Sequence, residues 1–338
     1  MNKKFIAYLF FVVLSILLLI EAWSYWQLKK SGNNLPFFFN YHHSTEIEDA
    51  KEIGFNEIHP LWGWNMSDKT IESHNYISKN ALIELNTNNP ADTTLKIFIT
   101  GGSTSDIVLD QNNWPKALHN LLTQKKIPHS IYVAAVGGFN SSQEYLRLIE
   151  QGLEIKPHLH ISYAGANETG DFGFVTEYER DFYVKSISNG IGSFILPNTI
   201  FFLKTRLFKN KNTLQLAALP EYPTSHRFKK NFKLMQATAQ QFGYTFLGVL
   251  QPLNGIGNHH SSYSKISNQE YLEDYKRYYP EMQDFVSANP SFLQDFTTLF
   301  DSVNTQVYVD DCHLVPGGNK LVASKMYILI NEKILKAN

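Results

Sequence analysis

The pattern of apolar and polar positions divides the chain into three regimes. After Lys3 and Lys4, the residues from Phe5 to Ile20 are uncharged and mostly apolar. At about 1.5 Å per helical residue this run alone falls short of a hydrocarbon core of about 30 Å. Continued through Glu21, Ala22, Trp23, Ser24, Tyr25 and Trp26 it is long enough, and the aromatic cluster suits a membrane interface. The pattern therefore predicts an N-terminal transmembrane helix. No small-residue cleavage signal follows it, which favours an uncleaved anchor over a secretory signal peptide. Lys29 and Lys30 nearly balance Lys3 and Lys4, so charge alone does not orient the helix. The short N-terminal tail argues for tail inside and bulk outside, that is, a single-pass protein with its main domain on the periplasmic or extracellular side.

Residues 27–94 carry few periodic apolar runs but many aromatics and turn formers, among them Pro36, Phe37, Phe38, Pro60, Trp62 and Trp64. They read as a spacer packed on the domain that follows, with the polar stretch Asn86–Thr94 leading into a first core strand. From Leu95 the pattern alternates. Strands are predicted at 95–100, 131–136, 158–163 and 245–250, and helices at 114–124, 142–151, 227–242 and 319–336. This alternation implies a mainly parallel sheet covered on both faces. Residues from about 170 to 222 break it with clustered aromatics, including Phe172, Phe174, Tyr178, Phe201 and Phe202, and read as an insertion. The expected organisation is thus an anchor with flanks over 1–30, a spacer over 31–94 and an α/β domain over 95–338.

Composition narrows the partners. With 30 basic against 31 acidic residues the chain is nearly neutral, so nothing points to nucleic acid or to broad attraction by anionic lipid. The single Cys312 excludes an intrachain disulfide.

Two short segments carry candidate chemistry. Ile97-Phe98-Ile99-Thr100-Gly101-Gly102-Ser103 is a strand run ending in two glycines and a serine. Ligands of parallel sheets bind beyond the carboxyl ends of the strands, where such a serine presents its hydroxyl. No lysine follows in the P-loop arrangement. Near the other end, Asp310-Asp311-Cys312-His313 places a carboxylate three residues before a histidine. That spacing lets the acid hold one ring nitrogen while the other accepts a proton from a nucleophile.

Taken together with two further segments, these motifs resemble the SGNH hydrolase superfamily, also called the GDSL family, whose four blocks supply Ser, Gly, Asn and His in that order. Gly101-Gly102-Ser103 is similar to the first block, Val136-Gly137-Gly138-Phe139-Asn140-Ser141 to the second, Gly165-Ala166-Asn167-Glu168 to the third and Asp310-Asp311-Cys312-His313 to the last. The departures are Gly102 in place of the first block's Asp, Glu168 in place of the third block's Asp and Val133 where the second often has Asn. The resemblance spans about residues 95–335. It implies a flavodoxin-like three-layer α/β/α sandwich and a serine esterase with the triad Ser103, Asp310 and His313. The oxyanion would be held by the backbone N–H groups of Ser103 and Gly138 and the side-chain amide of Asn167. No cofactor or metal is implied.

The anchor suggests an acylated glycan or lipid of the cell envelope, carrying for example an O-acetyl ester, as substrate. An O-acyltransferase acting on a surface polysaccharide uses the same triad, and a membrane-tethered binding protein without turnover is the non-enzymatic alternative. Other candidates are read as background. The pairs His42-His43 and His259-His260 lack a supporting cluster and are expected in solvated loops. Cys312 is read as a small hydrophobe pointing away from His313. Asp311 is secondary to Asp310, Glu144 is read as a helix-surface charge and Glu168 as a supporting hydrogen-bond acceptor.

Overall fold

Seven strands form one mixed sheet, and it begins earlier in the chain than the alternation suggested. The computed structural model describes residues 3–30, 55–59, 62–87, 95–168, 224–259 and 269–336. The chain divides into two compact units, one of Met1–Glu52 with Val175–Glu221 and one of Ile53–Phe174 with Tyr222–Asn338. The described part of the first unit is a 28-residue helix, α1 (Lys3–Lys30), with exposed apolar side chains such as Phe10, Phe11, Leu18 and Leu19. Among the described residues no helix is long and apolar enough to cross a membrane. Within α1 the unbroken run of described side chains is residues 10–20, so the expected transmembrane helix is not a finding of this structure. The insertion expected over about 170–222 lies outside the described residues.

In the second unit a two-stranded antiparallel ribbon, β1 (Phe55–His59) and β2 (Gly63–Met66), precedes a short helix α2 (Asp68–Ser73). A hairpin follows, β3 (Ile77–Lys79) and β4 (Leu82–Asn86), which pairs antiparallel with β6 (His129–Val133). Residues read as a spacer thus supply two strands of the sheet. Three residues in β3 and five in β4 are too few for an alternation to stand out, and Ile83 and Leu85 are the only buried aliphatics on β4. The remaining strands are parallel: β5 (Leu95–Gly101), β6, β7 (Leu159–Ala164), β8 (Thr245–Leu250) and β9 (Leu293–Asp295). Counted from β5, their spatial order is 2-1-3-4-5, the doubly wound order of flavodoxin-like sheets.

The strands are apolar on both faces because both faces are covered. Ile97 and Ile99 of β5 face a core shared with α3 (Trp114–Gln124) and α7 (Pro316–Ile330). Phe98, between them, faces the opposite core, shared with α5 (Thr224–Phe242) and α6 (Gln269–Ser287). The helix starts are written in the sequence. Asn113 caps α3 by accepting from the Lys116 N–H, and Pro115 occupies the first turn, where its missing N–H costs nothing. Asn140 opens α4 (Ser141–Arg147) with a capping box completed by Gln143.

Candidate active site

Ser103 follows β5 directly and opens a single 3₁₀ turn, Ser103–Ser105, held by Ser105 N–H to Gly102 O at 3.0 Å. Its hydroxyl therefore emerges at the carboxyl end of the first parallel strand, beside the switch point where the strand order reverses. From the far end of the chain, the loop 310–313 brings His313 Nε2 within 2.8 Å of Ser103 Oγ. His313 Nδ1 lies 2.6 Å from Asp310 Oδ2. An ionised carboxylate can only accept, so the ring proton sits on Nδ1 and Nε2 is free to accept from the serine.

This loop is organised by Asp310 itself. Its Oδ1 accepts the backbone N–H groups of Cys312 (2.9 Å) and His313 (2.8 Å), which leaves Oδ2 aimed at the ring. Asn254, just after β8, ties the loop down by donating its backbone N–H to Asp311 O and its side-chain amide to Asp310 O. Asp311 is buried, and the carboxylate hydrogen-bonded to the His313 ring is that of Asp310, so Asp310 is the acid of the relay. Burial works against ionisation of both partners. In Asp310 it is outweighed by the hydrogen bonds from His313 and the loop N–H groups, which hold the carboxyl below its ordinary range. In His313 it is outweighed by the bond to Asp310 and the neighbouring Cys312, which raise the imidazole above its ordinary value.

The other two residues expected at the site come from two other loops. Gly138, after β6, has φ +79°, a left-handed conformation that glycine adopts without steric cost. Asn167 lies in a short turn after β7, and its Nδ2 donates to Phe139 O at 2.9 Å. Neither the Ser103 nor the Gly138 N–H makes a backbone hydrogen bond among the described residues. The Asn167 amide keeps a second N–H. Gly102, the departure from the first block's Asp, has a steric reason. A Cβ there would lie 2.3 Å from Asn167 Nδ2 and 3.1 Å from Phe139 O. The missing side chain is what lets the Asn167 amide come up against the serine turn.

Residues the sequence reading did not single out support these loops. Asp106 is fully buried and receives the Val108 and Leu109 N–H groups on one oxygen and the Gly137 N–H on the other, at 3.2 Å. It fixes the loop that carries Gly138. Burial raises its carboxyl to about 6 against the pull of those N–H donors. Trp114 Nε1 donates to Ser105 Oγ at 3.0 Å, and Thr104 Oγ1 donates to Gln251 Oε1 at 3.3 Å, bracing the turn after the serine. Asp106 had a readable signal, an acid two residues before an N–H that it caps. Gln251 had none, because it is 148 positions downstream of Ser103.

Three expectations change, and the reading of Glu168 as a supporting acceptor stands. Glu144 is not a helix-surface charge: its side chain is fully buried, and its Oε2 accepts from Thr100 Oγ1 at 2.9 Å and Ser162 Oγ at 2.6 Å. It turns inward because α4 packs on β5 and β7 with that face. Burial raises this carboxyl to about 7, partly offset by the two hydroxyl donors. Cys312 does not point away from His313; its Sγ lies 3.7 Å from Nδ1, because the turn closed by Asp310 folds both side chains to one side. It sits at Nδ1, on the Asp310 side of the ring, away from Nε2 and Ser103, and burial raises its thiol. His259 is buried rather than solvated, with Nδ1 against Phe300 O at 3.1 Å and its ring beside Tyr308. Glu168 is a supporting acceptor, fully buried, taking the Ser141 N–H at 2.5 Å. His42, His43 and His260 lie outside the described residues. Asp310, Cys312 and His313 also form a group whose ligand-type atoms lie within 4.8 Å of one another.

No protein-family model and no curated protein matches the chain. The solved structures it resembles include esterases and a lipase. They include an acetyl xylan esterase at 16% identity and TM-score 0.45, covering 70% of this chain and 100% of that one. An acetylxylan esterase from Geobacillus stearothermophilus matches at 10% identity and TM-score 0.44, over 70% of this chain and 94% of that one. A GDSL-like lipase from Bacteroides thetaiotaomicron matches at 10% identity and TM-score 0.44, over 73% of this chain and 93% of that one. At these scores the likeness carries no chemistry to this chain, whose own side-chain geometry has to do so.

Proposed function

We propose that the chain is a serine esterase of the SGNH type that hydrolyses acyl esters through Ser103, His313 and Asp310. The observation that carries this reading is the continuous relay from Ser103 Oγ to His313 Nε2 at 2.8 Å and from His313 Nδ1 to Asp310 Oδ2 at 2.6 Å. His313 takes the serine proton as Oγ attacks the ester carbonyl, and the imidazolium so formed is stabilised by Asp310. The carbonyl oxygen becomes an anion facing the Ser103 and Gly138 N–H groups and the Asn167 amide. Donors fixed in advance cost no reorganisation as charge develops there. The alcohol leaves with the proton returned by His313, and a water, deprotonated by the same ring, releases the acid.

The substrate we favour is an ester, such as an O-acetyl group, on a cell-envelope glycan or lipid, with the catalytic domain held at a membrane on its extracytoplasmic side. Support for the tether comes from the apolar run Phe5–Ile20 and from α1, whose 28 residues extend about 42 Å. Full-length protein that washes out of membranes at alkaline pH would remove this part of the reading and leave the chemistry standing.

The test of the chemistry is hydrolysis of a short-chain nitrophenyl ester by the full-length protein in detergent, beside a Ser103→Ala variant. Turnover by the wild type and background rate in the variant are expected. Equal rates in the two would overturn the assignment.

A further inference from the structure

Two of the three oxyanion donors, Gly138 and Asn167, sit on separate loops, and both loops are tied to one turn of one helix. Arg227 and Asn231, one helical turn apart on α5, make these ties. Arg227 Nε donates to Glu168 Oε2 at 3.3 Å and its Nη2 to Glu168 O at 3.0 Å. Glu168 is the residue next to Asn167. Its other carboxylate oxygen accepts the Ser141 N–H at 2.5 Å, at the end of the loop that carries Gly138. Asn231 Nδ2 donates to the hydroxyls of Ser141 (3.0 Å) and Ser142 (2.9 Å). The buried carboxylate of Glu168 therefore joins the Asn167 turn to the Gly138 loop, and α5 grips both.

From this geometry, and resting on the esterase reading above, we infer that Arg227 is a positioning residue that sets the distance between the Asn167 and Gly138 oxyanion donors by fixing Glu168 between them. It touches neither substrate nor serine. The Glu168 carboxylate is fully buried while the Arg227 side chain is 27% exposed, and Arg227 is the cation paired with it. The guanidinium fork is needed to reach a carboxylate oxygen and a carbonyl oxygen of the same residue at once, which an ammonium on a flexible stem does poorly. Removing it leaves the carboxylate free to rotate. The Asn167 amide then loses its fixed direction, while the Ser103–His313–Asp310 relay, on other loops, keeps its geometry.

The experiment measures kcat and KM for a nitrophenyl ester on the full-length protein. Rates are normalised to the number of sites labelled by a fluorophosphonate, so that a loss of folded protein does not count. Arg227→Met is expected to lower kcat per labelled site by about tenfold to a hundredfold, with KM changed less than about twofold, because a misplaced oxyanion donor acts on the transition state. Arg227→Lys is expected to recover part of that loss, and it decides the matter alone if Arg227→Met does not fold. A kcat per labelled site equal to wild type in the folded variants would overturn the inference and leave the esterase reading intact. So would a rise in KM with kcat unchanged. A wild type that neither labels nor turns over would sink the esterase reading, and this inference with it.

Discussion

The two halves of the candidate site are built in opposite ways. The acid and base come from one loop, three residues apart, and a single side chain, Asp310, shapes that loop and orients the ring. The proposed oxyanion donors come from three loops after three different strands, held together by Asp106, Glu168 and helix α5. The first half is a local turn that a short sequence can specify by itself. The second exists only once β5, β6 and β7 have paired in register and α5 has docked. Damage to the relay should therefore act through one residue at a time, while damage to the oxyanion side should be spread over residues far from the substrate.

The largest effect is expected from cutting the relay. Asp310→Asn should reduce kcat by about four orders of magnitude, since the amide favours the wrong ring tautomer. It should also move the acid limb of the kcat/KM profile. Asp310 raises the His313 imidazole, so the wild-type rate should climb with pH through a value above the ordinary imidazole value of about 6.5. The variant's limb should lie lower, because burial is then opposed only by the neighbouring Cys312. A pH–rate series on both proteins checks the sign.

Next comes the oxyanion side. Asn167→Ala should cost about 10²–10³ in kcat, the usual loss for one donor. Gly102→Ala should act in the same direction without removing a polar group, because its methyl would lie 2.3 Å from Asn167 Nδ2 and displace it. About tenfold to a hundredfold is expected there, with Ser103 labelling retained. A Gly102→Ala variant with wild-type kcat would show that the approach of Asn167 to the serine turn is unimportant, and the contrast between the two halves would lose its steric basis.

The smallest effect falls on stability rather than rate. The buried Glu144 carboxyl is raised to about 7, so the unfolded chain loses its proton first as pH rises. Its contribution is fully present below the ordinary carboxyl value and is lost as pH rises through about 7. The loss should be of the order of 3 kcal/mol. Glu144→Gln keeps an acceptor for Thr100 and Ser162, and its urea-unfolding free energy should change less between pH 5 and pH 8 than that of the wild type. A steeper fall in the variant would contradict this account.

The same contrast governs what was legible in the sequence. The Asp310–His313 spacing and the strand–Gly–Gly–Ser run could be read directly, and helix α3 and strand β8 fall on the residues their patterns marked out. The pairing of β4 with β6 could not, since it joins residues such as Asn86 and Ser130 that lie far apart in the chain. Helix α6 was missed for another reason. Pro280 stands inside it, and the buried face runs Leu272, Tyr275, Tyr279, Met282 and Val286, where tyrosines disguise a helical spacing. Arg227 and Gln251 carried no local signal because their partners lie 59 and 147 positions away. Glu144 was misread because a charged residue in a helix is usually solvated, and nothing nearby in sequence announced Thr100 and Ser162.

The central claim is that Ser103 is a nucleophile activated by His313. The most direct measurement treats full-length protein with a fluorophosphonate and maps the modified peptide by mass spectrometry, in wild type and in His313→Ala. The account expects one label per chain on Ser103 in the wild type and a labelling rate lower by several orders of magnitude in the variant. A label on another residue, or equal rates in the two proteins, would contradict it.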